Sequence, residues 1–197
     1  MTETGDTRTS LLLRARQGDE DAWRRLVDLY RPLVYAWLVR HQVATQDAED
    51  LTQDVLAVVI KELGRFEHAG RPGAFRAWLR TILINQVRHF LRGQRHRLAL
   101  GSPQPGSDWL EQLADPHSGL SQQWDQEHDQ QLARRFLAII QAEFNAATWQ
   151  VFQMLVLEDR PAAEVAQQLG LTRNAVYVAK ARVLARLRAE LRGLMEV

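Results

Sequence analysis

The chain has 197 residues, 46% of them hydrophobic and 25% charged, with a formal net charge of +1. That balance suits a globular protein with a buried core, arranged as one large domain or two small ones. The lack of cysteine excludes disulfides and thiolate metal sites. No apolar run approaches the roughly 18 residues of a membrane span, and the polar stretch from Met1 to Ser10 lacks the apolar centre of a signal peptide, so the cytoplasm is the expected compartment.

No stretch alternates apolar and polar residues with a sustained period of two, which predicts an all-α fold. Leu11 to Gln17 reads as a short helix. Asp19 caps a second, in which Trp23, Leu26, Val27, Tyr30, Val34, Trp37 and Leu38 recur at helical spacing. A third runs from about Thr45 to Leu63, with Leu51, Val55, Val58, Val59 and Leu63 facing inward and Glu49, Asp50, Gln53 and Asp54 facing out near its N-terminus. Carboxylates there are favoured by the helix dipole, so helix stability accounts for them as well as a protein-docking surface does.

A loop from Gly64 to Gly73 leads into a helix over Ala74 to Arg92. Phe75, Leu79, Ile82, Leu83 and Phe90 share one face, Thr81, Asn85, Arg88 and Arg92 form a stripe beside it, and Trp78 lies on the border. A tryptophan flanking a cationic stripe suits a single nucleic-acid strand, because bases stack on aromatic faces while arginines hold the backbone. Taken alone, Trp78 is more often a core residue. Beyond this helix Gly101, Pro103, Pro105, Gly106, Pro116 and Gly119 break any long periodicity and mark a linker between two domains. Within it Trp109, Leu110 and Leu113 spell a short amphipathic turn able to dock on a partner or on one of the domains.

The C-terminal part carries a helix-turn-helix pattern. Pro161 suits a first helical turn with Glu164 beside it, Val165, Ala166 and Leu169 form an apolar stripe, and Gly170 ends the helix. Leu171 packs inward across the turn, and Thr172 caps the following helix, which would enter a major groove. Such hairpins also occur in bundles that bind no DNA. Charge strengthens the DNA reading because it is segregated along the chain. Asp47 to Asp54 holds four carboxylates and no Lys or Arg, Arg71 to Arg97 seven arginines and no acid, Leu98 to Gln131 six carboxylates and no Lys or Arg, and Thr172 to Arg192 six Lys or Arg against Glu190 alone. Two basic surfaces separated by an acidic tether fit nucleic acid touched at two places.

Three blocks together carry a family resemblance: Asp47-Ala-Glu-Asp-Leu-Thr-Gln-Asp54, Phe75-Arg-Ala-Trp78-Leu-Arg-Thr-Ile-Leu-Ile-Asn85, and the helix-turn-helix. Their order and spacing resemble a bacterial RNA polymerase sigma factor of the extracytoplasmic-function (ECF) group of the sigma-70 family. The resemblance runs from about Leu11 to Leu191. It implies sigma domain two over residues 8–97, a flexible acidic linker over 98–127, and sigma domain four over 128–197. It also implies a non-enzymatic protein without cofactor or bound metal, whose partners are core RNA polymerase and promoter DNA, with an anti-sigma protein left open. Asp47, Glu49, Asp50, Gln53 and Asp54 would dock on polymerase. Phe66, His68, Arg76, Trp78, Arg80, Thr81, Asn85, Arg88 and Arg92 would read and open the minus-ten element. Thr172, Arg173, Asn174, Tyr177, Val178, Ala181, Arg182 and Arg186 would engage the minus-thirty-five element, with Lys180 falling toward the apolar stripe. The usual family pattern has Lys or Arg where Tyr177 and Ala179 stand, so base preference does not carry over.

Two other classes compete. A free-standing helix-turn-helix repressor or activator explains the C-terminal half but has no use for an acidic docking helix or for Trp78 and Asn85. An enzyme would draw on Asp125, Glu127, His128 and Asp129 as a metal cluster, yet i to i+4 carboxylates are common on solvated helices and no phosphate-binding loop or HExxH pattern is present.

Overall fold

The computed structural model describes residues 11–67, 73–97, 108–191 and 194, with side chains to residue 93 in the helix that ends at Arg97. The described residues are helical: α1 (Leu11–Arg16), α2 (Glu20–Arg40), α3 (Thr45–Glu62) with a tight turn over Leu63–Arg65, α4 (Ala74–Arg97), α5 (Asp108–Ala114), α6 (Gly119–Gln141), α7 (Ala146–Phe152) with a widened turn over Gln153–Leu157, α8 (Ala162–Leu169) and α9 (Arg173–Leu191). The fold is all-α.

Local chemistry sets the helix starts. Asp19 accepts from the Ala22 N–H at 3.0 Å to begin α2, Ser118 caps α6 and Asn145 caps α7. Helices α1 to α4 pack in sequence around Leu26, Tyr30, Val34, Trp37, Val55 and Phe75. The helix forecast over Ala74 to Arg92 continues to Arg97, since no Pro or capping residue stops it.

The stretch forecast as linker is partly folded. Leu110 and Leu113 of α5 are buried against the N-terminal helices, and Trp109 stacks on His41 with ring centroids 4.3 Å apart. Helix α6 runs unbroken through residues 127 and 128. It lays Trp124, His128, Leu132, Phe136 and Ile140 on the same core, because these positions repeat every three to four residues while their neighbours are polar. Trp124 meets Trp37 edge-on at 5.0 Å. The far half of α9 joins this core through Val183, Leu187 and Leu191, whereas Val151, Met154, Val165, Ala166, Val176 and Ala179 make a small separate core under the helix-turn-helix.

Candidate nucleic-acid interface

The turn between α8 and α9 is built as its residues dictate. Gly170 takes φ +65°, a left-handed conformation in which a Cβ is strained, and the Leu171 N–H then reaches the Ala166 carbonyl at 2.9 Å. Thr172 Oγ1 accepts from the Ala175 N–H at 3.1 Å and starts α9. Two details differ from expectation. Pro161 stands just outside α8, at its cap. Leu171 stays 38% exposed, because Val165 and Val176 already fill the space between the helices.

The exposed start of α9 presents Arg173, Asn174, Tyr177, Val178, Ala181 and Arg182, with Tyr177 55% and Val178 45% accessible. These side chains offer an amide, a phenol and two small apolar groups to a groove, with a guanidinium at either end. Lys180 is half-buried. Arg186 is held inside the protein. It donates to Glu143 at 2.6 and 2.9 Å and to Glu190 at 2.6 Å, and although burial disfavours its charge, these carboxylates outweigh that and raise its pKa.

On α4, Thr81, Asn85 and Arg92 are exposed. The Thr81 hydroxyl donates to the Ala77 carbonyl at 3.0 Å, so it is spoken for within its own helix. Trp78 is half-buried, packed on Phe66 at 4.7 Å and Phe75 at 5.5 Å, and Phe66 itself is buried. His68 lies outside the described residues. The remaining arginines are engaged with the acidic segment. Arg76 meets Asp125 at 3.2 Å and Asp129 at 2.7 Å, Arg80 meets Asp125 at 3.3 Å, and Arg88 donates to Glu111 at 2.9 Å. Gly73, at φ +67°, sits so close that a Cβ there would come within 2.9 Å of the Arg76 guanidinium.

The acidic face of α3 is different. Glu49, Asp50, Gln53 and Asp54 are exposed, Asp47 is half-exposed, and no ion pair to another described residue engages any of them. Beside Glu49 and Thr52 a shallow cavity of about 540 Å³ is bounded by Arg31 and Tyr35 of α2 and Arg135 of α6.

Asp125, Glu127, His128 and Asp129 are drawn to separate partners, Asp125 and Asp129 to arginines of α4 and Glu127 to Arg40, and among the described residues no group of three or more potential ligands is arranged to hold a metal. Glu127 pairs with Arg40 at 2.6 Å. Burial pushes its carboxyl up, but hydrogen bonds from Gln123 and Arg40 prevail and hold its pKa below the ordinary value. His128 is fully buried, with Nδ1 2.9 Å from an Asp129 oxygen and Nε2 3.2 Å from the Tyr30 hydroxyl. An ionised carboxylate only accepts, so Nδ1 carries the hydrogen and the tyrosine donates to Nε2. Burial drives the His128 pKa down against the pull of Asp129, and burial with the Asp129 charge raises Tyr30 well above its usual value.

Residues 26–97 match the model of sigma-70 region 2. The chain is 27% identical over 196 residues to the ECF RNA polymerase sigma factor SigD of Mycobacterium tuberculosis, an alignment covering 97% of this chain and 87% of that one. Over nearly its whole length the chain is thus similar to ECF sigma factors, and its first half carries the sigma-70 region 2 match. Shorter alignments are more similar: 36% over 88 residues to the ECF RNA polymerase sigma factor BldN of Streptomyces coelicolor, and 40% over 83 residues to the RNA polymerase sigma factor CarQ of Myxococcus xanthus. These cover 45% and 42% of this chain, and only 33% and 46% of the relatives' own lengths. None of its described helices is long and apolar enough to cross a membrane.

Sequence reasoning missed the pairing between α4 and α6. The signal was present, because Arg76 and Arg80 stand four apart, as do Asp125 and Asp129, and two helices with matched i to i+4 spacings of opposite charge zip together when packed side by side. The arginine run was read toward nucleic acid and the acidic run as a tether between two basic surfaces. The buried Tyr30–His128 contact, 98 positions apart, leaves no trace in local periodicity.

Proposed function

We propose that the chain is a sigma factor that binds core RNA polymerase, directs initiation at specific promoters and itself catalyses no reaction. The unpaired acidic face of α3 carries the reading. Exposed carboxylates on adjoining turns repel one another, and dipole stabilisation reaches only the first turn, so it accounts for Asp47 and not for Asp50 or Asp54. A basic partner surface supplies what the fold withholds. The structure of α9 supports the second contact, in which Asn174 pairs with adenine and Val178 or Ala181 touches thymine methyls of the minus-thirty-five element, while Arg173 and Arg182 hold phosphates.

At the minus-ten element, Asn85 and the edge of Trp78 would receive an unstacked base. Unstacking costs a few kcal/mol, which stacking at about 1–3 kcal/mol per base offsets. Arg88 and Arg92 stand on the same helix for the strand backbone, and Phe66 supports Trp78 from beneath. The test is reconstitution of the full chain with core RNA polymerase, followed by transcription and footprinting on genomic DNA. Initiation at discrete sites only when the chain is present is the expected result. Sequence-specific binding by the chain alone, unchanged by polymerase and without directed transcription, would establish a free-standing regulator instead.

A further inference from the structure

Three arginines of α4 reach to the acidic segment that follows them, Arg76 and Arg80 with guanidiniums largely shielded from solvent and Arg88 at an open edge. Their side chains are 14%, 10% and 37% exposed, and their partners are Asp129, Asp125 and Glu111. A row of carboxylates facing a row of guanidiniums presents the charge and the hydrogen-bond acceptors of a nucleic-acid backbone. The neighbouring face of α4 carries Asn85, Thr81 and Arg92 in the open. The segment therefore occupies the edge along which a strand reaching Asn85 would run.

We propose that α5 and the first half of α6 are a built-in competitor for DNA phosphate, clasping the α4 arginines while the chain is free and releasing them when polymerase is bound. This rests on the sigma-factor reading above. The clasp is also placed to respond to docking. Helix α6 carries Asp125 and Asp129 on one side and, further along, Arg135, which borders the cavity that Glu49 and Thr52 of the acidic α3 face also line. A polymerase surface seated on α3 meets α6 at that edge, so one helix touches both the docking face and the DNA-contact arginines.

The experiment measures binding of the free full-length chain to a fluorescein-labelled, mixed-sequence single-stranded 20-mer across a salt series. Glu111→Gln with Asp125→Asn removes the partners of Arg88 and Arg80 and leaves Asp129 in its contact with His128. A charge-matched control, Asp28→Asn with Asp108→Asn, removes two exposed acids that pair with no α4 arginine. The clasp variant should bind roughly ten-fold tighter than the control at low salt, and its slope of log affinity against log salt should steepen by about 1.4, two phosphates at about 0.7 each. Equal affinity and slope for the clasp variant and the control would overturn the proposal. Circular dichroism reports the fold; if the double variant melts early, Asp125→Asn alone is compared with Asp108→Asn, and the same equality overturns the clasp. Wild-type transcription with core polymerase is run alongside. Failure there removes the sigma-factor reading, whereas directed initiation with equal strand binding by variant and control removes only the clasp.

Discussion

Reversing Asp50 and Asp54 to lysine is the sharpest test of the docking face. Both side chains are exposed, stand one helical turn apart on α3, and pair with no described base. Each therefore has little to lose within the fold, where a surface substitution is worth within about 0.5 kcal/mol. The two new charges repel each other about as the old ones did, so helix stability is nearly unchanged. Across an interface the account differs. An exposed ion pair contributes about 0.2–1 kcal/mol, and reversal replaces that attraction with repulsion of similar size. Two reversals then cost roughly 1–4 kcal/mol, about a five-fold to several-hundred-fold loss of affinity for core polymerase. Much of the loss should fall on association, and it should shrink in high salt because the contacts are screened. Competition binding to core polymerase at two ionic strengths reads the effect, and thermal melting followed by circular dichroism reads the fold. Normal affinity in a variant of unchanged helicity and melting would refute the docking assignment.

Asn85→Ala should reduce open-complex formation on duplex promoters and be partly rescued on a template already melted at the minus-ten element; equal losses on the two templates would make Asn85 an ordinary surface residue. On α9, Asn174→Ala should flatten sequence preference by about 1–3 kcal/mol at the favoured site. Arg182→Ala should weaken specific and scrambled duplexes alike and lower the salt slope by about 0.9. Arg186→Ala should act chiefly on stability, lowering the melting temperature by stranding Glu190, which is only 8% exposed. Burial depresses both His128 and His41 in the folded chain, so the unfolded chain takes up protons first as pH falls. The stability they contribute is complete above about pH 6.5 and declines below it, and His128→Gln should make the melting temperature less sensitive to pH between 7.5 and 5.5.

The helices were legible because their apolar residues repeat at helical spacing and their ends carry chemistry of short range: Asp19 and Thr172 as caps, Gly170 as a left-handed stop. The exposed faces of α3 and α9 followed from the same periodicity. What periodicity cannot carry is partner choice across a long separation. Arg186 sits on the flank expected for phosphate contact, yet Glu143, 43 residues earlier, claims it. Leu171 has the composition of a core residue and the position of a surface one, since burial depends on what fills the neighbouring space. The acidic middle segment looked like a tether because glycine and proline interrupt it, but Gly101, Pro103, Pro105 and Gly106 precede α5, Pro116 falls between α5 and α6, and Gly119 opens α6, so each helix is left whole.

The contact between α6 and the N-terminal helices joins two kinds of interaction that respond to different agents. Its charged edge runs from the open Arg88–Glu111 pair, which is worth little against water, to Arg76 and Arg80, whose guanidiniums are largely shielded but lose little by exchanging one anionic partner for another. Its apolar stripe is another matter. Trp124 is fully buried against Trp37, and withdrawing an aromatic side chain that covers about 150–250 Å² costs on the order of 4–6 kcal/mol. Phosphate alone does not supply that, since two or three exchanged ion pairs come close to breaking even. A protein partner supplies it only by binding the opened chain more tightly than the closed one, by roughly a thousand-fold to twenty-thousand-fold for a cost of about 4–6 kcal/mol. On the proposed reading DNA phosphate is therefore the weaker of the two agents acting on α6, and full exposure of Arg76 and Arg80 calls for a polymerase surface at α3 that favours the opened chain by that margin.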